Sequence, residues 1–469
     1  MTFIQLEFLV FFALVFTSYW LLRDRRHQNL LLAVSSAVFY GWVHPWFLLL
    51  LYGSAVTDYL VGLAMERKPH QKGALLTLSM AINLGMLGTF KYFDFFVENL
   101  TTALGTLGIS SGLEPLGLFF PVGISFYTFQ TMSYTIDVYR GELKPRANFL
   151  DYVVFVSFFP QLVAGPVERA SNLIPQFERE RVFSWDACRT GMNLAMWGAF
   201  KKVVIADTIA LYVNKVYLLK EPAGPLLWAA ALGFAIQILT DFSGYTDIAR
   251  GTARALGIEL MQNFDHPYLA VNPSEFWKRW HISFSSWIRD YLYIPLGGSR
   301  GGQLGVLKST FGAMTLSGLW HGASWNFVAW GVYHAALLTG YRYVTPRIPA
   351  TLRKGVFGRA SAVLIMFGFT VVGWMIFRET HTDRLIRAFT INPVQATPDE
   401  WLATVVLLGI CLVCSLPLFV ALAIETWVTP RMQNSPWNLT AQTTTWAVLT
   451  LVIFVFTRST VNDFIYFQF

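Results

Sequence analysis

Six runs of this chain, residues 3–22, 46–65, 74–97, 361–377, 401–424 and 443–456, are dominated by apolar side chains. Each approaches or reaches the roughly 20 apolar residues with which an α-helix crosses a bilayer. No other feature limits the fold as much, because a backbone in hydrocarbon must satisfy its own hydrogen bonds, and runs of this length do so as helices. Only 13% of the residues are charged, against about 25% in a soluble domain. The expectation is an all-α polytopic membrane protein, one membrane domain over 1–469, with further helices at 401–458. The first run lacks a basic leader and a small-residue cleavage site and continues into more apolar sequence, so it reads as an uncleaved first helix.

The net charge of +7 does not point to nucleic acid, because the basic residues stand in short clusters between apolar runs. Arg23, Arg25 and Arg26, then Arg67, Lys68 and Lys72, then Arg140, Lys144 and Arg146 lie on alternate loops, whereas the loops at 44–45 and 98–111 carry neither Lys nor Arg. By the positive-inside rule the N-terminus is expected outside the cytoplasm. Residues 149–165 break the alternation: the run is short, holds Pro160 and Gln161, and is followed by Arg169, Arg179 and Arg181. Residues 310–341 repeat the conflict, between Lys308 and Arg342 with Arg347. Both read as re-entrant segments, which are tolerated at membrane depth where protein or a water-filled cavity lines them.

The three cysteines imply neither a disulfide framework nor a metal site. Cys188 stands alone, and Cys411 and Cys414 share one face of an apolar helix, where small core hydrophobes are the default.

Residues 261–302 read MQNFDHPYLAVNPSEFWKRWHISFSSWIRDYLYIPLGGSRGG. A helix starts near Asn272-Pro273-Ser274, with Ser274 as a cap candidate. From there Trp277, Trp280, Phe284, Trp287, Ile288 and Tyr291 recur at steps of three and four and form one aromatic face, with Lys278, Arg279 and Arg289 largely off it. A basic, aromatic amphipathic helix fits the membrane interface. His281 sits on this helix, either as a hydrogen-bonded interfacial histidine or as a functional one. Gly297 to Gly302, with Arg300, forms either a loop that offers backbone N–H groups to a phosphate or a plain cytoplasmic turn.

A second polar cluster is DFSGYTDIAR, residues 241–250. Asp247 and Arg250 are spaced to pair on a helix face. Asp241 has no partner nearby in sequence; it is either interfacial or orients a histidine or arginine elsewhere in the fold.

His321 is the sharpest case. It lies in LSGLWHGASWNF, among the small residues Ser317, Gly318, Gly322, Ala323 and Ser324, which permit close approach of a backbone or a substrate. An ionisable side chain within a membrane segment is expected to be functional. Burial there disfavours the imidazolium, so a neutral ring able to accept a proton is expected. His334, further along, reads more readily as a core residue.

The stretches WKRWHISFSSWIRDYLYIPLGGSRG, LWHG and DFSGYTDIARG resemble the signatures of the membrane-bound O-acyltransferase family. NLLLAVSSAVFYGW, FFPVGISFYTFQTMSYTIDVYRG, FFPQLVAGPVER and KKVVIADT are similar to its bacterial branch, typified by alginate O-acetylation. The resemblance runs from near residue 29 to about 378. It implies about 11 transmembrane helices with re-entrant and interfacial helices around a central tunnel, and acyl transfer from a cytoplasmic thioester. Acetyl-CoA or another acyl thioester is then the donor substrate, with no bound cofactor or metal.

The family's near-invariant histidine matches His321, implied to be the general base, and its second polar position matches His281. Trp280, Arg289, Arg300, Trp320, Asp241 and Tyr245 are the candidates for binding donor or acceptor. The branch implies O-acetylation of an exported polysaccharide such as alginate or cellulose, in the bacterial inner membrane and with a periplasmic acetyltransferase partner. D-alanyl transfer to teichoic acid from a carrier-protein thioester and peptidoglycan acetylation are the alternatives within the family. A transporter or flippase is the alternative outside it, and should show internal repeats with paired carboxylates or arginines at the membrane midplane, neither of which is evident in the sequence.

Overall fold

A computed structural model describes every residue except 120, 163–164, 348–354, 393, 429–430, 432–437, 458–463 and 466–469. Among the described residues all regular structure is helical, and the protein is a polytopic membrane protein. It divides into two compact units, residues 1–192 with 249–262 and residues 193–248 with 263–469.

In the first unit the helices are α1 (Leu6–Leu21), α2 (Arg25–Gly41), α3 (Phe47–Arg67), α4 (Lys72–Leu87), α5 (Phe93–Thr106), α6 (Ile124–Arg140), α7 (Phe149–Ser157), α8 (Phe159–Leu162) and α9 (Ala170–Glu178). Asp24 and Asn148 start α2 and α7 by accepting backbone N–H groups of the first turn. The re-entrant expectation for 149–165 meets a broken element. With nine and four residues, α7 and α8 rise only about 14 and 6 Å, too little to cross a bilayer.

The second unit takes up the chain within α10 (Trp185–Phe200) and again within α12 (Gly224–Ala255), with α11 (Asp207–Leu218) between them. It continues through α13 (Pro273–Arg279), α14 (Ile282–Ile288), α15 (Gly302–His321), α16 (Trp325–Val344), α17 (Val356–Arg378), α18 (Thr382–Thr390), α19 (Pro398–Ala423) and α20 (Asn438–Phe456). Apolarity does not by itself say which helix faces lipid. The most apolar window of α12 is 83% buried, whereas that of the segment 398–428 is 11% buried, so α19 presents its Leu and Val side chains outward.

Residues 310–341, expected as one re-entrant segment, lie in a hairpin of two 20-residue helices, α15 and α16, which turns at 322–324. A chain that returns accounts for basic residues at both of its ends. Glycine makes the crossing possible. A Cβ on Gly318 would lie 2.1 Å from the carbonyl oxygen of Phe327, and one on Gly331 would lie 2.3 Å from that of Met314.

Candidate active site

The segment expected as one amphipathic helix is two. Asn272, not Ser274, is the cap: its side chain accepts the Glu275 N–H at 2.8 Å, and Pro273 takes the first helical position. After seven residues α13 stops, His281 takes a left-handed conformation (φ 43°, ψ 55°), and α14 runs for seven more. Among the described residues His281 and His266 alone, besides glycines, have positive φ. A non-glycine residue held there carries strain that its surroundings must overcome.

Those surroundings centre on Asn263. Its carbonyl accepts the Ile282 N–H at 2.9 Å, and its Oδ1 accepts both the Ser283 N–H at 3.3 Å and the Ser283 hydroxyl at 2.6 Å. The expected aromatic face does not lie at a membrane interface. Trp280, Phe284 and Trp287 are fully buried, because the break turns successive rings inward against α12, α15 and α17.

His281 is wholly buried. Its ring lies 4.7 Å from that of Phe242 and 5.0 Å from that of Phe284, and neither of its nitrogens has a hydrogen-bond partner among the described residues. An aromatic box around an imidazole with both nitrogens unused can hold a polar atom supplied from outside.

His321 ends α15, and Gly322 follows in extended conformation. A Cβ at Gly322 would strike the Phe327 ring at 2.2 Å, so the turn after the histidine needs glycine. The His321 ring meets those of Trp320, Trp330, Phe377 and Phe284 at centroid distances of 5.0, 5.0, 5.2 and 5.6 Å. Asn326 fixes the neighbouring end of α17 by donating to the Phe377 carbonyl at 2.9 Å. The two histidines, 40 residues apart in the chain, therefore pack against the same two rings, Phe284 and Trp320.

A cavity of about 600 Å³ leads toward this pair along the α15–α16 hairpin. Its wall runs from Val306 to Ser317 on α15, about 16 Å of helix rise. Of its lining residues Arg289 and Arg342 are exposed and mark its open end, and Phe284 and Ser317 are buried and mark its inner end. Ser317 is one turn before His321, on the same face of α15. Arg289 pairs with Asp290 at 2.7 Å, which raises its guanidinium above the ordinary value, and Arg342 adds a second cation at this end. The size lies within the usual range for a small-molecule site.

The remaining candidates are dispersed. Trp280 stacks on Phe276 and Tyr268 and touches Trp374, one ring behind the cavity wall. Arg300, Lys278 and the cap candidate Ser274 are exposed. Arg300 sits on the turn before α15, and Arg279 is bound to Glu275. His334 is buried among Phe276, Trp277, Trp330 and Tyr333.

Asp241 is buried with a partner that its sequence neighbourhood does not hold. Its Oδ1 lies 2.6 Å from Lys202 Nζ, and its Oδ2 accepts the Ile465 N–H at 2.8 Å. Tyr245 lies beneath the same ammonium, 5.5 Å from ring centroid to Nζ, and packs on Phe464. Asp247, expected to pair with Arg250, has Lys201 Nζ at 2.6 Å.

Sequence reasoning placed Phe284 only on an aromatic face and passed over Asn263, Phe242 and the lysine pair. Two adjacent lysines inside the apolar stretch 195–213 are themselves a signal, because an intramembrane ammonium demands a partner. Nothing local marks Asn263.

The sequence model of the MBOAT, membrane-bound O-acyltransferase, family matches residues 142–382. The chain is 39% identical over 387 residues to the probable alginate O-acetylase AlgI of Pseudomonas syringae pv. tomato, covering 81% of this chain and 72% of that protein. It is 34% identical over 394 residues to the peptidoglycan O-acetyltransferase of Helicobacter pylori (76% and 72% covered). It is 28% identical over 278 residues to the teichoic acid D-alanyltransferase of Bacillus subtilis (55% and 68% covered).

Proposed function

Because this chain belongs to the membrane-bound O-acyltransferase family, we propose that it moves acetyl groups from a cytoplasmic thioester, acetyl-CoA, toward O-acetylation of an exported polysaccharide such as alginate or cellulose. The observation that carries this reading is the cavity that ends one helical turn short of His321. Its open end, lined by Arg289 and Arg342, suits the phosphates of the donor, and its largely apolar lining disfavours the water that would hydrolyse a thioester. Arg289, at that end, is the donor contact, with Arg300 nearby on the exposed turn.

His321 acts as general base. It takes the proton of the acceptor hydroxyl as that oxygen bonds to the thioester carbonyl, the carbon–sulfur bond breaks, and the proton passes to the departing sulfur. His281, with both nitrogens open to a ligand, holds the carbonyl or the acceptor. Trp320 backs the Phe284 ring of the inner wall, Trp280 packs behind it, and Asp241 with Tyr245 supports the Phe242 side of His281. A periplasmic acetyltransferase completes delivery, since the donor is cytoplasmic and the polymer is not. The protein would lie in the bacterial inner membrane, and the basic clusters on alternate loops, all on one side, favour an N-terminus outside the cytoplasm.

Replacing His321 with Ala tests the reading. The variant inserts normally but leaves the polymer without acetyl signals in its NMR spectrum, and acetylation at the wild-type level would overturn the assignment. The polymer that loses acetyl identifies the acceptor. Loss from peptidoglycan rather than from an exopolysaccharide would favour the reaction named for the Helicobacter relative.

A further inference from the structure

We propose that Phe284 sets the length of the acyl group this enzyme accepts, an assignment that rests on the cavity being the donor route. Its ring forms part of the inner end of the 600 Å³ cavity and touches both imidazoles, His281 at 5.0 Å and His321 at 5.6 Å. It is held there by stacking on Trp320 at 4.3 Å and 27°, with 1% of its surface exposed.

A thioester delivered along α15 therefore meets Phe284 before it meets either histidine. On the His321 ring that Phe284 touches also pack Trp330 and Phe377, both fully buried and 5.5 Å apart, in an interior too closely packed to admit further atoms. A two-carbon acyl group fits beside the ring with its carbonyl near His321. A four-carbon group has to displace the ring, and the Trp320 stack resists that.

The test uses everted inner-membrane vesicles from a host that carries the full chain. Radiolabelled acetyl-CoA or butanoyl-CoA is supplied, and vesicle-bound label is counted above that of the His321→Ala strain. Each variant is scored by its butanoyl-to-acetyl ratio, in which the amount of folded protein cancels. The wild type favours acetyl. Phe284→Leu and Phe284→Ala raise the ratio by about tenfold or more, the discrimination that one or two methylenes carry in an apolar pocket. If Phe284→Ala does not fold, Phe284→Leu is read alone.

A ratio within about twofold of wild type, with His321-dependent acetyl label retained, overturns the role of Phe284 and leaves the donor route standing. Wild-type vesicles that take up no His321-dependent label from either donor overturn the donor route, and Phe284's role with it.

Discussion

Asn263 Oδ1 accepts the Ser283 hydroxyl at 2.6 Å across twenty residues of chain, and this bond pins the helix break that carries His281. The first N–H groups of α14 would otherwise lack acceptors. Asn263→Ala removes the Oδ1 that accepts both the buried Ser283 amide and its hydroxyl, at a cost of about 1–3 kcal/mol. A displaced His281 lowers acyl transfer by up to about 10²-fold. Polymer acetate measured against membrane protein level checks this; unchanged acetate would show that the break stands without Asn263.

Gly318→Ala places a methyl 2.1 Å from the Phe327 carbonyl, where only movement of one helix away from the other relieves the clash. A loss of roughly 1–3 kcal/mol is expected, seen as a lower unfolding temperature in detergent. Activity falls as well, because His321 is one turn away on the same helix. Gly340→Ala, which meets nothing within 4 Å, is the control and stays near wild type in both measurements.

Lys202 lies between Asp241 at 2.6 Å and Asp207 at 2.8 Å, with the Lys202 side chain 1% and the Asp241 side chain 3% exposed. Lys202→Met leaves Asp241 and Asp207 without the cation they share and destabilises by about 3–5 kcal/mol, whereas Asp241→Asn leaves Lys202 its Asp207 partner and costs less. The double variant loses clearly less than the sum, because the two changes remove one shared interaction. Thermal unfolding of the four proteins decides it, and additive losses would refute the coupling.

Glu168, in the loop between α8 and α9, is wholly buried and accepts the Met261 N–H at 2.5 Å and the Asn172 amide at 2.8 Å. Burial outweighs these bonds and the nearby Arg250 and pushes its carboxyl up to about 7. A folded-state value above the unfolded one makes the protonated form the favoured guest. Its contribution is complete below pH about 4.5 and is lost as pH rises through about 7, of the order of 3 kcal/mol in all. Unfolding temperature in detergent should therefore fall between pH 5 and pH 8, and Glu168→Gln should flatten that slope. An equal slope in the variant would place the titration elsewhere.

Much of the site was legible before folding was considered. His321 stood out because a titratable ring in an apolar run is costly wherever it ends up, and the small residues around it required a close neighbour, which proved to be α16. His281 was identifiable as a residue but not in its conformation. The rings from Trp277 to Tyr291 recur at helical spacing, so local periodicity favours one continuous helix. The break needs Asn263, which no local pattern links to it. The partner of Asp241 was hidden for a similar reason: Lys202 lies 39 residues earlier, across two helix boundaries.

What the sequence by itself determined is the part set by composition and length: helices throughout, a membrane as solvent, basic ends on the 310–341 segment, and a histidine whose burial called for a purpose. Those properties follow from free energies of transfer, which each stretch of chain carries wherever it is placed. Only the tertiary structure decided that α12 is interior and α19 faces outward, that Arg289 rather than Arg300 lines the cavity, and that Phe284 stands between that cavity and both histidines. These are relations between side chains distant in sequence, and they exist only once packing has brought the helices together.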